Sequence, residues 1–193
     1  MKQTYGPFLI RDWQAGDRAA AAQVIGDALQ EFGLGWEPDG ADADAWQVEQ
    51  HYQNGQFWVV EQGKELVATA AFLPIERGRR AVEIRKMYLK PQVRRRGLGR
   101  YLLQQLEAEI AARGFQQIWL ETATALTGAS EFYESTGYRL PQAGDLGAIA
   151  AAPLSDKGCN RCDPNSLIET ERCDRIYIKQ LPWENRARQN TRD

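Results

Sequence analysis

Between residues 81 and 123 the chain reads as a strand, a glycine and arginine loop, a long helix and a second strand. This unit constrains the fold more than any other stretch. AVEIRKMYLKP (81–91) alternates Val82, Ile84, Lys86 and Tyr88 against Glu83, Arg85, Met87 and Leu89, and Pro91 ends the strand. LGRYLLQQLEAEIAARG (98–114) sets Leu98, Tyr101, Leu102, Leu106 and Ile110 at helical spacing, with Gly114 as the stop. QQIWLETA (116–123) supplies the second strand. A strand-helix-strand unit of this length is a parallel crossover, so the chain must build a sheet containing at least one parallel pair.

The flanking segments extend that sheet. FLIRDW (8–13) predicts a strand, and Asp17 caps an alanine-rich helix running to about Phe32. GLGWEPDGAD is a loop, and 43–52 a second helix. QFWVVEQ (56–62) and ELVATAAFLPI (65–75) form a hairpin over Gly63 and Lys64. TGASEFYESTG (127–137) is a short helix and RIYIKQL (175–181) a last strand. The order βααβββαβα, then β, is an α/β mixed sheet flanked by helices. With 193 residues, 43% of them hydrophobic, one domain over 1–182 is expected. Residues 141–174 are a long loop insertion within it and 183–193 a polar tail. No apolar run reaches the roughly 20 residues that span a bilayer, and the start lacks a signal-peptide core. A cytoplasmic protein without a membrane partner is the expectation.

The net charge of −2 conceals two opposed segments. Residues 77–100 hold ten Arg or Lys against one acid, Glu83, whereas 31–44 hold Glu31, Glu37, Asp39, Asp42 and Asp44 and no base. The first segment calls for an anion, and the second offers either a solvated surface or an approach for a cation. Within the basic segment, RRRGLGRYLL carries Arg94, Gly97 and Gly99 at RxxGxG spacing, after a strand and before a helix. Glycines let a ligand approach the backbone, and the free N–H groups of a first helical turn bind phosphate with help from the helix dipole. Arg95, Arg96 and Arg100 add charge beside Leu98. No Gly-Lys-Ser/Thr follows, and GxGxxG spacing is absent, so neither a Walker loop nor a dinucleotide fingerprint is present. The arginines crowd one loop rather than a face interleaved with aromatics, so nucleic acid is not an expected partner.

The run VEIRKMYLKPQVRRRGLGRYLLQQL, then QQIWLET, then EFYESTGYRL with Tyr133, Gly137 and Tyr138, resembles the GNAT superfamily of N-acetyltransferases over roughly residues 6–140 and 175–181. The resemblance implies an acyl-CoA N-acyltransferase fold in which the strand at 81–91, fourth in this reading, splays from the fifth at 116–123. It implies acetyl-CoA as co-substrate, with its pantetheine arm in the gap, held by backbone groups of Met87, Tyr88 and Leu89. The Met87 N–H would polarise the thioester carbonyl, and the amides from Arg95 to Arg100 would take the pyrophosphate. Glu83 lies eleven residues before Arg94, as the strand glutamate does in histone-acetylating members, and fits the base that deprotonates the amine. An ordinary strand glutamate, solvent-facing or paired with Arg85 or Arg80, is the other reading. Tyr133 fits the acid that protonates the departing thiolate, against the alternative of a core aromatic. Many members carry Asn seven residues before the tyrosine; here Leu126 stands there, while Ala129 is retained.

The expected reaction is direct attack by a primary amine, of a small molecule or an amino acid, in a ternary complex. A protein or peptide lysine or N-terminal acetyltransferase, and a non-catalytic acyl-CoA sensor, stay open. The loops 31–44 and 141–174 are read as the two walls around the amine, and a homodimer is compatible with this reading. Cys159, Cys162 and Cys173 lie outside the motifs, which argues against an acyl-cysteine intermediate, and they lack a fourth ligand for zinc. No metal is expected, and His51 reads as a surface or packing residue.

Overall fold

The computed structural model describes residues 2–78, 80–142, 144–145 and 173–182. Most of the 141–174 insertion, with Cys159 and Cys162, and the tail at 183–193 lie outside them. Seven strands form one sheet in sequential order: β1 (Lys2–Tyr5), β2 (Phe8–Asp12), β3 (Gln56–Gln62), β4 (Glu65–Ile75), β5 (Ala81–Leu89), β6 (Gln117–Thr122) and β7 (Arg175–Gln180). Neighbours pair antiparallel except β5 and β6, which are parallel. That exception follows from the crossover helix between them, α4 (Leu98–Ala112).

Helices cover both faces. On one, Leu98, Leu102, Leu106 and Ile110 of α4 pack against Trp58, Val82, Ile84, Ile118 and Leu120. On the other, Val24, Ile25 and Leu29 of α1 (Arg18–Gln30) pack against Phe57, Val59 and Ala71. The expected mixed sheet between helices is therefore the observed one.

Three local features differ from expectation. β1 has no apolar alternation in KQTY, and it forms an edge hairpin with β2 through Gly6 at φ 54°. The helix expected over 43–52 is two single turns, α2 (Ala43–Trp46) and α3 (Val48–His51), broken at Gln47 with φ −114° and ψ 50°. The break has a long-range cause. Arg18 donates to the Trp46 carbonyl, which a continuous helix would use for Gln50, and the Gln50 N–H goes to Gln47 O at 3.0 Å instead. The third is α5 (Ala129–Ser135), shorter than expected because Gly128 at φ 83° precedes it and Thr136 ends it.

The β5 strand is irregular where it matters. It pairs with β6 only from Ala81–Gln117 to Ile84–Leu120, and from Arg85 to Leu89 it diverges. Against β4 the register jumps from Thr69–Tyr88 to Ala71–Arg85, so Lys86 and Met87 oppose the single residue Ala70. Lys86 adopts φ 51° there, a left-handed conformation that costs a side-chain-bearing residue about 1–2 kcal/mol.

Leu102, fully buried between α4 and the sheet, is the test of this layering. Leu102→Ala is expected to lower unfolding free energy by about 3 kcal/mol in a denaturant titration, and a loss under 1 kcal/mol would contradict the packing described.

Candidate active site

The glycine loop is shaped by backbone conformation. Arg95 at φ 57° and Gly97 at φ 81° turn the chain into α4, whose first intrahelical bond is Tyr101 N–H to Gly97 O at 3.0 Å. The N–H groups of Leu98, Gly99 and Arg100 precede that bond, as a helix start requires. Gly97 is favoured by the fold itself, since at φ 81° any side chain is strained, and a Cβ there would also push the Tyr5 hydroxyl aside. Gly99 is not, because a Cβ would meet only Leu89 at 3.8 Å and Phe132 at 3.9 Å, ordinary contacts. A glycine where the fold tolerates a side chain, beside exposed helix-start amides, fits close approach by a ligand.

The arginines divide by role. Arg94 donates through Nε to Leu89 O at 2.8 Å and pairs with Glu31 at 2.7 Å, so its guanidinium ties the end of β5 to the end of α1. Arg96 lies over the Phe8 ring at 5.3 Å, and Arg100 donates to Ser135 Oγ at 3.2 Å, joining the start of α4 to α5. Arg95, Arg96 and Arg100 are exposed beside the loop, whereas the Leu98 side chain is fully buried and leaves only its N–H to the site.

Where β5 leaves β6, its residues alternate between two environments. Met87 and Leu89 pack on the α4 side together with Phe132 and Tyr133, and Tyr88 faces the α1 side with Trp13, Leu34 and Trp36. Lys86 O accepts from Thr69 Oγ1 at 2.7 Å, which pins the bulge. The loop, the diverging strand and Tyr133 thus meet at one place.

Tyr133 is half-buried, stacked edge-on against Phe132 at 5.2 Å and Tyr138 at 5.7 Å. Burial pushes its phenol up to about 12, so the hydroxyl keeps its proton at neutral pH. Helix α5 contains no fully buried residue and is held from outside. Tyr177 Oη donates to Glu134 at 2.9 Å, and Lys179 Nζ donates to Thr136 O at 2.8 Å and to Glu107 of α4 at 2.8 Å. The sequence reading missed Tyr177 and Lys179; their periodicity marks a strand, and nothing local marks them as supports of a helix some 40 residues earlier.

Glu83 lies on the opposite face, 3% exposed and paired in the sheet with Trp119. Its carboxylate lies 3.9 Å from Arg85 Nε, and Arg85 also meets Asp44 at 3.3 Å. Asp44 accepts from Tyr52 Oη at 2.7 Å and pairs with Lys86 Nζ at 3.0 Å; Lys86 also pairs with Asp42 at 2.8 Å. Burial alone would raise the Asp44 carboxyl, yet the charges of Arg85 and Lys86 and the Tyr52 hydroxyl hold it below its ordinary value. The acidic segment therefore does not stand apart as a negative wall: Glu31, Asp42 and Asp44 are all spent on the basic segment. His51 is exposed, and Leu126 sits in the turn before α5.

A family model for the acetyltransferase (GNAT) family matches residues 22–138. The chain is 30% identical to the uncharacterized N-acetyltransferase YjgM of Escherichia coli (strain K12) over 128 residues, 63% of this chain and 76% of that one. Its fold is similar to a GNAT-family acetyltransferase of Staphylococcus aureus Mu50, with TM-score 0.72 and 21% identity over 91% of this chain and 99% of that one. A GNAT-family acetyltransferase of Brucella melitensis, solved in complex with acetyl-CoA, aligns with TM-score 0.55 and 19% identity over 68% of this chain and 82% of that one.

The depressed Asp44 carboxyl makes stability depend on pH. A group whose folded value lies below its ordinary 3.8 contributes fully above that pH and loses its contribution as acid protonates it in the folded state. Asp44→Asn is expected to cost roughly 3 kcal/mol at pH 7, with the gap to the parent protein closing as the pH falls below 3.8. A gap in melting temperature that stays constant down to pH 3 would contradict the ion pairs described.

Proposed function

We propose that this chain, which belongs to the GNAT acetyltransferase family, moves the acetyl group of acetyl-CoA to a primary amine of a small molecule or an amino acid, which attacks directly in a ternary complex. The observation that supports this reading is the divergence of β5 from β6 beyond the Ile84–Leu120 pair, beside the start of α4 and on the side of the sheet where Tyr133 packs.

The chain's own groups supply each step. The amides from Arg95 to Arg100, with Arg95, Arg96 and Arg100 around them, bind the pyrophosphate at the positive end of the helix dipole. Backbone groups of Met87, Tyr88 and Leu89 take the pantetheine arm; the Leu89 carbonyl already serves Arg94, so the Met87 and Tyr88 groups carry more of that task. The Met87 N–H polarises the thioester carbonyl. Acetyl-CoA, when bound, supplies the activated acyl group. An alkylammonium holds its proton with a pKa above about 10, so attack needs a base, and Glu83 removes that proton directly or through water. The nitrogen bonds to the acyl carbon, the carbon–sulfur bond breaks, and Tyr133 gives its proton to the sulfur; the second proton that the nitrogen must lose restores the phenol, directly or through water, and Glu83 releases its own to solvent. Its raised pKa keeps that proton available across the working range.

Two experiments test this. Release of free CoA thiol is followed against a panel of small amines, amino acids and peptides. Glu83→Gln is expected to lower kcat about a hundredfold or more, and Tyr133→Phe about tenfold to a hundredfold with the acetyl-CoA KM within about twofold. Unchanged kcat in either variant would remove that residue from its role, and acetyl-CoA binding without turnover on any amine would favour a sensor. Gly99→Val, in calorimetry, is expected to weaken acetyl-CoA about tenfold or more with the melting temperature nearly unchanged; undiminished binding would move the pyrophosphate away from the α4 start.

A further inference from the structure

Lys86 has no part in the reaction just described, yet it is the most constrained residue of the strand that serves it. It stands at the bulge in a left-handed conformation at φ 51°, a region that side chains seldom occupy without compensation. Its side chain is 6% exposed, and its ammonium donates to Ala41 O at 3.0 Å and Asp42 Oδ1 at 2.8 Å and lies 3.0 Å from Asp44 Oδ1. All three partners belong to the connection between α1 and α3. Asp42 is fully buried and also accepts from the Glu37 N–H at 3.0 Å, which closes the connection on itself.

We propose that Lys86 is a positioning residue that latches the 37–44 connection to the bulge of β5, so that the acceptor side and the acetyl-CoA side of the enzyme are held by one side chain. The proposal rests on the reading above for what the bulge presents, the Met87 N–H, and for the connection as a wall of the amine site. The physical argument is independent of it. An ammonium between two carboxylates in a nearly dry site has few alternatives, because leaving would take a counter-charge from both partners. The same bonds that hold the connection down hold Lys86 in its strained backbone state, and that state creates the bulge next to Met87. Loosening either end loosens the other. The charges around the ammonium are Asp42 and Asp44 from the connection and Arg85 from the strand itself, with Tyr52 Oη on Asp44 from beyond α3.

The two roles can be separated in one pair of variants. Asp42→Asn with Lys86→Met removes the ion pair without stranding either charge, and Asp44 keeps Arg85 and Tyr52. Asp42→Asn with Lys86→Gly removes the same pair but places at the bulge a residue that adopts positive φ freely. Hydrogen exchange of the backbone amides of 37–46 is expected to rise about tenfold or more in both. Acetyl-CoA binding, by calorimetry, is expected to weaken about tenfold in the Met variant and to stay within about threefold of the parent in the Gly variant. Where an amine is turned over, its KM should rise in both. Asp42→Asn alone, which keeps Lys86 with Asp44, should show a milder form of the same exchange signal and serves if a double variant fails to fold. Parent-like exchange in 37–46 overturns the latch. Equal acetyl-CoA affinity in the two double variants, whether retained or lost, overturns the link between Lys86 and the bulge. A parent protein that binds no acetyl-CoA overturns the functional reading instead, and the exchange data still decide the latch.

Discussion

A parallel ladder that stops short leaves a strand edge with polar groups needing partners. From Arg85 to Leu89 the β6 side of β5 lacks the pairing that holds Ala81 to Ile84, and a buried backbone group without a hydrogen bond is costly. Part of that demand is met inside the protein, by Arg94 on the Leu89 carbonyl. The broken sheet thus leaves a bulged, diverging strand beside an exposed helix start and a short helix that bears a phenol.

The opposed charge segments illustrate how burial changes the meaning of a sequence pattern. In an unfolded chain, 31–44 and 77–100 would be an acidic tract and a basic one. In the fold they interlock through Glu31 with Arg94, Asp42 with Lys86, and Asp44 with Lys86 and Arg85. The buried pairs of Asp42 and Asp44 gain little over well-packed apolar residues, but removing one partner is expensive, roughly 3–5 kcal/mol, whereas the half-exposed Glu31–Arg94 pair is worth about 1 kcal/mol or less. Their value is in geometry, since they decide where the α1 to α3 connection lies and how far β5 is bent.

What could be read beforehand was what local physics determines. The α4 stripe, the strands around it and the RxxGxG loop follow from periodicity, glycine and helix-end chemistry, and the parallel pair follows from the crossover. What escaped depends on residues distant in sequence. β1 has no pattern because an edge strand of four residues buries little. The break at Gln47 is imposed by Arg18, and the support of Tyr133 comes from Tyr177 and Lys179. Arg94 was legible as part of a motif but not in its bonding, for spacing cannot distinguish a guanidinium that meets a phosphate from one that braces a carbonyl. Glu83 and Tyr133 were legible as candidates, but the burial of Glu83 within the paired stretch of β5 and the packing of Tyr133 on the α4 side required coordinates.

The way α5 hangs from β7 has a consequence for the order in which the protein becomes competent during synthesis. The glycine loop, the bulge and the first six strands are complete once residue 122 has been made, whereas the short helix bearing Tyr133 takes its outer supports from Tyr177 and Lys179. A nascent chain emerging from the ribosome would therefore hold the loop and the bulge well before Tyr133 is seated.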